Sequence, residues 1–494
     1  MKKLLAILVA IQLAIPAFSQ TAVQLPLSGR TGQSGSVTAT QSPIPGATTS
    51  VNTINTGVQV TGSYAGSSSG ATDRPFSGRL SLKEAVDRAL THNLGATGLA
   101  QAVRQARGQE RVARSALMPN LNGQIRETYL TQDLQVLGIK LPGIPAVVGP
   151  INYFDVRATL TQNFVDLTAL NNHRASEEIV KANEQAVKDA RDIVVLATAG
   201  AYLQVIAAAA RVESAKAQFA TAKALYQQTL ERRQAGVTAQ IDVNRSLVQQ
   251  QTQQQRIATL ENDLARQKIN LARLAGLPAN DNFQITDTVG YWAPPELGVE
   301  EAVKQALDAR ADLKAAEAQV KAAERARMAA RAERLPSLAV SADLGEIGRR
   351  FSQAEHTYTV VGSVKIPIWQ GGRAAGDIAQ AEATLDQRRA EAQDLRGRIE
   401  SDIRNACLDL KAATSQLELA RNNQELAKEN LKLTREKFEA GVTESLEVTQ
   451  ASEALASAEL DSITALFAHN LAKLSLARAL GNTEQRLPDY LRVR

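Results

Sequence analysis

Ala235-Gly236-Val237-Thr238 and Ala440-Gly441-Val442-Thr443 are the same four residues met twice in one chain. Each copy closes a long helical pattern and is followed within a few residues by another. Each therefore reads as the turn of a helical hairpin, with glycine free to take the left-handed backbone that ends a helix. From Gly236 to Gly441 is 205 positions. That spacing, with matching sequence on both sides, indicates a duplicated unit of roughly two hundred residues and not a short solenoid repeat.

Upstream of the second turn, Ile378, Ala381, Leu385, Ala392, Leu395, Ile399, Ile403, Ala406, Leu410, Ala413 and Leu417 fall on a 3-4 spacing, with Arg388 and Asp402 at the weak points. This is a coiled-coil-like seam in which alanine lets helices approach closely. The first half repeats it from about Ala175 through Ile179, Ala182, Ala186 and Ile193 towards Leu230. About 60 helical residues at about 1.5 Å each make a rod on the order of 90 Å long. Returning helices are expected over Ile241 to Ala275 and Leu446 to Leu480, each followed by glycine.

Further outward the period changes from helical to two. Leu121, Gly123, Ile125 and Tyr129 alternate with Asn122, Gln124, Arg126 and Thr128, although Glu127 interrupts the apolar side. Phe154, Val156, Ala158, Leu160 and Phe164 alternate with Asp155, Arg157, Thr159, Thr161 and Asn163. In the second half Leu338, Val340, Ala342 and Leu344 make one such strand, and Tyr358, Val360, Val364, Ile366 and Ile368 make another. Each half thus carries two strands of about the 9–11 residues that cross an outer membrane with one face in lipid and one in water. The hairpin of a soluble sheet would be expected among more strands than these four. Pro119 and Pro336 end the helix that precedes each strand pair. Those helices open at Leu80-Ser81-Leu82, with Ser81 and Glu84 forming a capping box, and at Leu297-Gly298-Val299; the first is expected to run to about Leu117.

The two ends localise the chain. Met1-Lys2-Lys3, the apolar run Leu4 to Ile15 and the small-x-small Ala17-Phe18-Ser19 read as a secretory signal peptide over 1–19. The run is short of the ~20 residues of a spanning helix. No later stretch reads as a spanning helix, so membrane insertion is expected through β-structure. Residues 20–79 are rich in Ser, Gly, Thr and Pro and nearly uncharged, and are expected to be disordered. The organisation expected is a first repeat over 80–276, a linker over 277–296, a second repeat over 297–481 and a C-terminal tail over 482–494.

Composition excludes some classes of function. With 56 Lys+Arg against 51 Asp+Glu spread along helices, nucleic-acid binding is not indicated. Cys407 is the single cysteine, so no intrachain disulfide or thiolate cluster forms. His92, His173, His356 and His469 share no ligand-like spacing, and no phosphate-binding glycine loop occurs, so no enzyme, metal or cofactor is expected. Trp369, just past a strand, reads as an anchor at the membrane interface.

Four amphipathic strands leave two edges that hydrocarbon cannot satisfy, so copies must associate to close a barrel. An eight-stranded barrel fills its own interior, and three copies are the smallest symmetric ring with room for a channel.

The order helix, strand, strand, long helix, glycine turn, return helix, given twice from Leu80 to Gly481, resembles the TolC family of outer-membrane efflux and secretion channels. The resemblance implies a mainly α fold with a small β-barrel part: a homotrimer whose 12-stranded barrel sits in outer-membrane lipid, above an α-helical tunnel across the periplasm of a Gram-negative-type bacterium. It implies that the tunnel docks on a periplasmic adaptor (membrane fusion) protein and an inner-membrane transporter, through the hairpin tips Gly236, Val237, Thr238, Gly441, Val442 and Thr443. It also implies a pore constriction at acidic residues six positions after each hinge glycine, which are Asp242 and Glu447 here. A carboxylate ring there would attract cations; alternatively, both are first-turn acids favoured by the helix dipole. A second acidic position of the family is Gln450 in this chain, and an arginine of its closing network is Thr443. The competing reading is a periplasmic coiled-coil adaptor or scaffold without a channel.

Overall fold

The computed structural model describes residues 37–43, 54–68, 76, 78–136, 138, 145–278, 283–293 and 298–491. The expected signal peptide, 1–19, lies outside these residues. The chain opens with β1 (Val37–Pro43) and β2 (Ile54–Val60), an antiparallel pair, and then β3 (Arg79–Leu80). The first repeat runs α1 (Leu82–His92), α2 (Leu94–Ser115), β4 (Asn120–Asp133), β5 (Val147–Val165), α3 (Leu167–Gln234) and α4 (Gln240–Leu274). After β6 (Gln284–Ile285), the second repeat follows the same order. It comprises α5 (Val299–Ala309), α6 (Ala311–Ala332), β7 (Ser337–Gly348), β8 (Glu355–Lys365), α7 (Arg373–Glu439) and α8 (Ser445–Ala479). Helix α9 (Thr483–Tyr490) follows the second repeat.

The rods form as their seams require. In α7 the residues Leu385, Ala392, Ile399, Ile403, Ala406, Leu410, Ala413 and Leu417 are all buried, which is the stripe read from the sequence. At 68 residues, α3 is about 100 Å long. The weak points of the seam are paired polar positions: Arg388 is buried and donates to Glu391 at 2.8 Å, and Asp402 accepts from Arg310 at 3.1 Å. Along α6 the buried row is almost wholly alanine, Ala311, Ala315, Ala318, Ala322, Ala329 and Ala332, and it lies against α3.

Where the rods meet, the structure thickens into a belt. Leu80, Leu82, Tyr202, Leu271, Phe283, Leu471 and Leu474 form one core cluster, and Ala302, Ile399, Ile403, Leu476, Leu480 and Tyr490 another. Each large apolar side chain buried contributes about 1.5–3 kcal/mol. Polar groups in the belt are matched across long sequence separations. The Tyr202 hydroxyl contacts Leu80 O and Asp287 Oδ2, both at 3.0 Å, and that carboxylate accepts from the Leu82 N–H at 2.6 Å. Arg478 pairs with Asp189, joining α8 to α3.

Several expectations change. The expectation that 20–79 is disordered fails at its described residues: β1 and β2 pair from Val37↔Val60 to Pro43↔Ile54, β2 lies against α3, and Tyr64 is buried against Ala89, Ala96, Ala190 and Val194. The low charge of this segment masked two runs of β-branched residues and one aromatic anchor. The helix expected from Leu82 to about Leu117 is two helices. Asn93 leaves the helical region, donates to Tyr64 O at 2.7 Å and caps α2 by accepting from Gly95 N–H at 2.9 Å. Arg310 makes the matching break in the second repeat, bonded to Asp312 and Asp402. The linker carries β6, paired with β3. The tail carries α9, held to α3 by Arg191–Glu484 and by the Glu484 N–H on Asp192. Finally, α3 does contain a stretch apolar enough to cross a membrane, but 67% of it is buried inside the belt, so its apolarity is that of a core helix.

His469 in α8 is fully buried, 5.2 Å from the Tyr291 ring and beside Lys473, whose Nζ donates to Trp292 O at 3.3 Å. Desolvation first, and then the charges of Lys473 and Arg421, lower its pKa from 6.5 to about 4. The unfolded chain takes up this proton near 6.5 and the native chain only near 4, so stability is lost as pH falls through that interval. Thermal melts between pH 7 and 4 are expected to show a His469→Phe variant losing less stability on acidification than the parent. Equal losses would exclude His469 as the source.

Candidate functional site

The two hairpin turns are built alike. Helix α3 ends on Gly236 at φ +76°, with the Gly236 N–H on Arg233 O (3.0 Å) and the Val237 N–H on Arg232 O (2.9 Å). In the second copy Gly441, also at +76°, donates to Phe438 O and Val442 to Lys437 O, both at 3.0 Å. This pairing satisfies the last carbonyls of each rod and requires a left-handed residue. A Cβ at either glycine would meet nothing within 4 Å, so backbone conformation and not packing selects glycine there. Val237 and Val442 project from the tips, each 76% exposed, an apolar side chain that no neighbour covers within one chain.

Chemistry around the turns is not symmetric. The Arg232 guanidinium lies 4.2 Å from the centroid of the Phe438 ring and donates to Phe438 O at 3.0 Å and Glu439 O at 3.5 Å. It thus caps the carbonyl end of α7 from the other hairpin, a contact worth about 0.5–2 kcal/mol for its cation–π part alone. The position equivalent to Arg232 in the second repeat is Lys437. Asp242 Oδ1 accepts from Ser445 Oγ at 3.2 Å and lies 3.7 Å from Arg245 Nη1. Glu453 receives Gln249 and, at 3.1 Å, Gln253. Beneath these polar contacts Leu225, Leu431, Phe438, Val448 and Ala451 form a small apolar cluster beside a cavity of about 390 Å³.

The predicted constriction residues therefore separate. Asp242 is drawn into the contact between the two hairpins, Glu447 and Gln450 stand exposed on α8, and the Thr443 hydroxyl is buried without a hydrogen-bond partner. Both Asp242 and Glu447 occupy the first turn of a helix, where a carboxylate is also stabilised by the dipole. Arg232, Phe438, Ser445 and Glu453 escaped the sequence reading because each passes as an ordinary residue of its own helix. Only the register between hairpins, invisible in one segment, brings them together.

At the opposite end of the rods lies a four-stranded antiparallel sheet in the order β4-β5-β7-β8. The pairing Leu121↔Leu160↔Ala342↔Val360 puts one apolar row across it. The same face carries Ile125, Tyr129, Val156, Leu344, Tyr358 and Val364, and Leu121, Ile125, Tyr129, Tyr358, Val360 and Val364 on it are strongly exposed. The other face carries Asn122, Gln124, Arg126, Asp155, Arg157, Thr159, Asp343 and Thr359. Strands β4 and β8 are outer edges in one chain. Trp369, 88% exposed, follows β8 beside Ile368, where the sheet gives way to α7.

Comparison with known proteins matches this arrangement. The family model described as outer membrane efflux protein covers residues 85–277 and 302–482, which are the two repeats. The pyoverdine export outer membrane protein OpmQ of Pseudomonas putida is 29% identical over 194 residues, 37% of this chain and 40% of its own length. The Campylobacter jejuni CmeC outer membrane channel superposes with a TM-score of 0.72 at 18% identity, over 81% of this chain and 86% of that one. The outer membrane protein VceC of Vibrio cholerae gives 0.71 at 18%, over 82% and 97%. The open-state MtrE channel of Neisseria gonorrhoeae gives 0.68 at 18%, over 82% and 90%. The duplicated hairpins, the shared sheet and the match across both repeats place this chain in the outer membrane efflux protein family, the TolC type anticipated from its hinges.

Proposed function

We propose that the chain is the outer-membrane exit duct of a tripartite efflux pump or type I secretion system. Three copies close a 12-stranded barrel from their four-stranded sheets, and their long hairpins form one tunnel through the periplasm. Substrates delivered by an inner-membrane transporter and its periplasmic adaptor pass through this tunnel to the outside. The observation that carries the reading is the sheet: a bare apolar face and two open edges at one end of rods about 100 Å long. In water that face would be a liability, and in lipid it is the outside of a barrel. An adaptor or scaffold has no use for it.

In this reading the tips are the periplasmic mouth. Val237 and Val442 supply apolar docking points for the adaptor, Glu447 and Gln450 border the opening, and Asp242 with Arg232 holds the two hairpins of one chain together. Trp369 sits at the interface of the barrel with the periplasm.

Outer-membrane fractionation is expected to recover a heat-modifiable trimer; recovery as a soluble periplasmic protein would defeat the duct. In planar bilayers Glu447→Ala is expected to weaken block by multivalent cations added on the tip side, whereas Asp242→Ala raises conductance by loosening the hairpin contact. Unchanged current and block in the double variant would remove both residues from the mouth. Val237→Asp with Val442→Asp is expected to abolish co-purification of the cognate adaptor while leaving the trimer intact, and undiminished adaptor recovery would place docking elsewhere.

A further inference from the structure

On the polar face of the sheet, four charged residues sit at neighbouring register positions on three strands. Arg126 on β4 faces Asp155 on β5, and Arg157 on β5 bonds both Asp155, at 3.2 Å, and Asp343 on β7. Two positive and two negative groups form one oblique rung across three successive register rows; on the same face Glu355 shares the row of Arg126 and Asp155, and Lys365 closes β8 opposite Ser337. The rung crosses the junction between the repeats, since β5 belongs to the first and β7 to the second. Its geometry is built in: directly opposite Arg157 stands Gly345, where a Cβ would come within 3.2 Å of the arginine Cβ and 2.7 Å of Val156 O. Absence of that Cβ clears the space across which the guanidinium reaches Asp343. Although these groups lie on an open sheet face, the Arg157, Asp155 and Asp343 side chains are only 27%, 19% and 21% exposed, pressed against one another.

We infer that this rung, repeated by each copy, holds the electrostatic potential of the barrel lumen near zero, so that this section of the duct does not discriminate cargo by charge. The inference rests on the duct reading, in which the polar face is the lumen. Charges facing a narrow aqueous pore act on permeating ions at close range. Over this face of one copy, Arg126, Arg157 and Lys365 offset Asp155, Asp343 and Glu355; with one removed, every copy contributes an uncompensated charge at the same height.

Site-directed labelling reads this potential locally, whatever the state of the mouth. Thr359 on β8 faces Asp343 across the register and is exposed. In full-length protein carrying Cys407→Ser and Thr359→Cys, modification rates are measured with an ammonium-bearing and a sulfonate-bearing methanethiosulfonate. Relative to the parent, Asp343→Asn is expected to shift the rate ratio about threefold towards the anionic reagent, and Arg157→Gln about threefold towards the cationic one. Asp155→Asn shifts it in the same direction as Asp343→Asn and serves as a second variant if the latter loosens the sheet. Combining Arg157→Gln with Asp343→Asn returns the ratio to the parental value. A reactive Thr359→Cys whose ratio none of these variants moves would overturn the rung. A Thr359→Cys inert to both reagents, alongside a readily labelled Val360→Cys, would instead overturn the lumen assignment and the duct with it.

Discussion

Among the described residues, the outer edges of β4 and β8 pair with no other strand, and no helix packs extensively on either face of the sheet between them. In water such edges recruit other strands; in hydrocarbon an unpaired edge costs several kcal/mol for each group left unsatisfied. The rest of the structure answers this constraint. In the duct proposed above, copies add strands until the sheet closes, and symmetric closure sets the helices that leave each sheet in a ring.

Duplication gives one chain two long hairpins, but the copies have diverged where they touch. Glycine turns are the same in both, since only a left-handed residue satisfies the carbonyls at the end of each rod. The side chains beside them differ: Arg232 caps the partner hairpin, its counterpart Lys437 does not, and Asp242 is bonded where Glu447 is exposed. Repeat-specific contacts of this kind make the two hairpin tips of a chain chemically distinct. Likewise the Arg157–Asp343 pair joins the repeats within the sheet, at the one strand boundary inside the chain where they meet.

Features legible in the sequence were those written as a period. The coiled seam of α7, the four alternating strands and the glycine turns each repeat a local pattern and lie where it places them, except that β8 stops at Lys365, short of the expected Ile366 and Ile368, because its partner β7 begins at Ser337, opposite Lys365. What escaped was decided by partners far away in the chain. The helical period runs straight through Asn93, whose side chain at the break caps α2 and reaches Tyr64, brought in by the N-terminal segment. Asp287, in what read as a linker, caps α1 from 205 residues away. The apolar middle of α3 read as an ordinary rod because its neighbours in the belt come from α1, α8 and the linker. At the tips, Arg232 looked like a basic residue suited to the end of its own helix, and the ring it covers lies on another.

Hydrogen exchange at the two edge strands tests closure most directly. In purified detergent-solubilised protein, the amides of residues 120–133 and 355–365 are predicted to be protected to the same degree as those of the interior strands β5 and β7, because a neighbouring copy pairs with each edge. Rapid exchange confined to the outward-facing amides of β4 and β8 would show that the edges stay open, and would contradict the barrel on which the whole account depends.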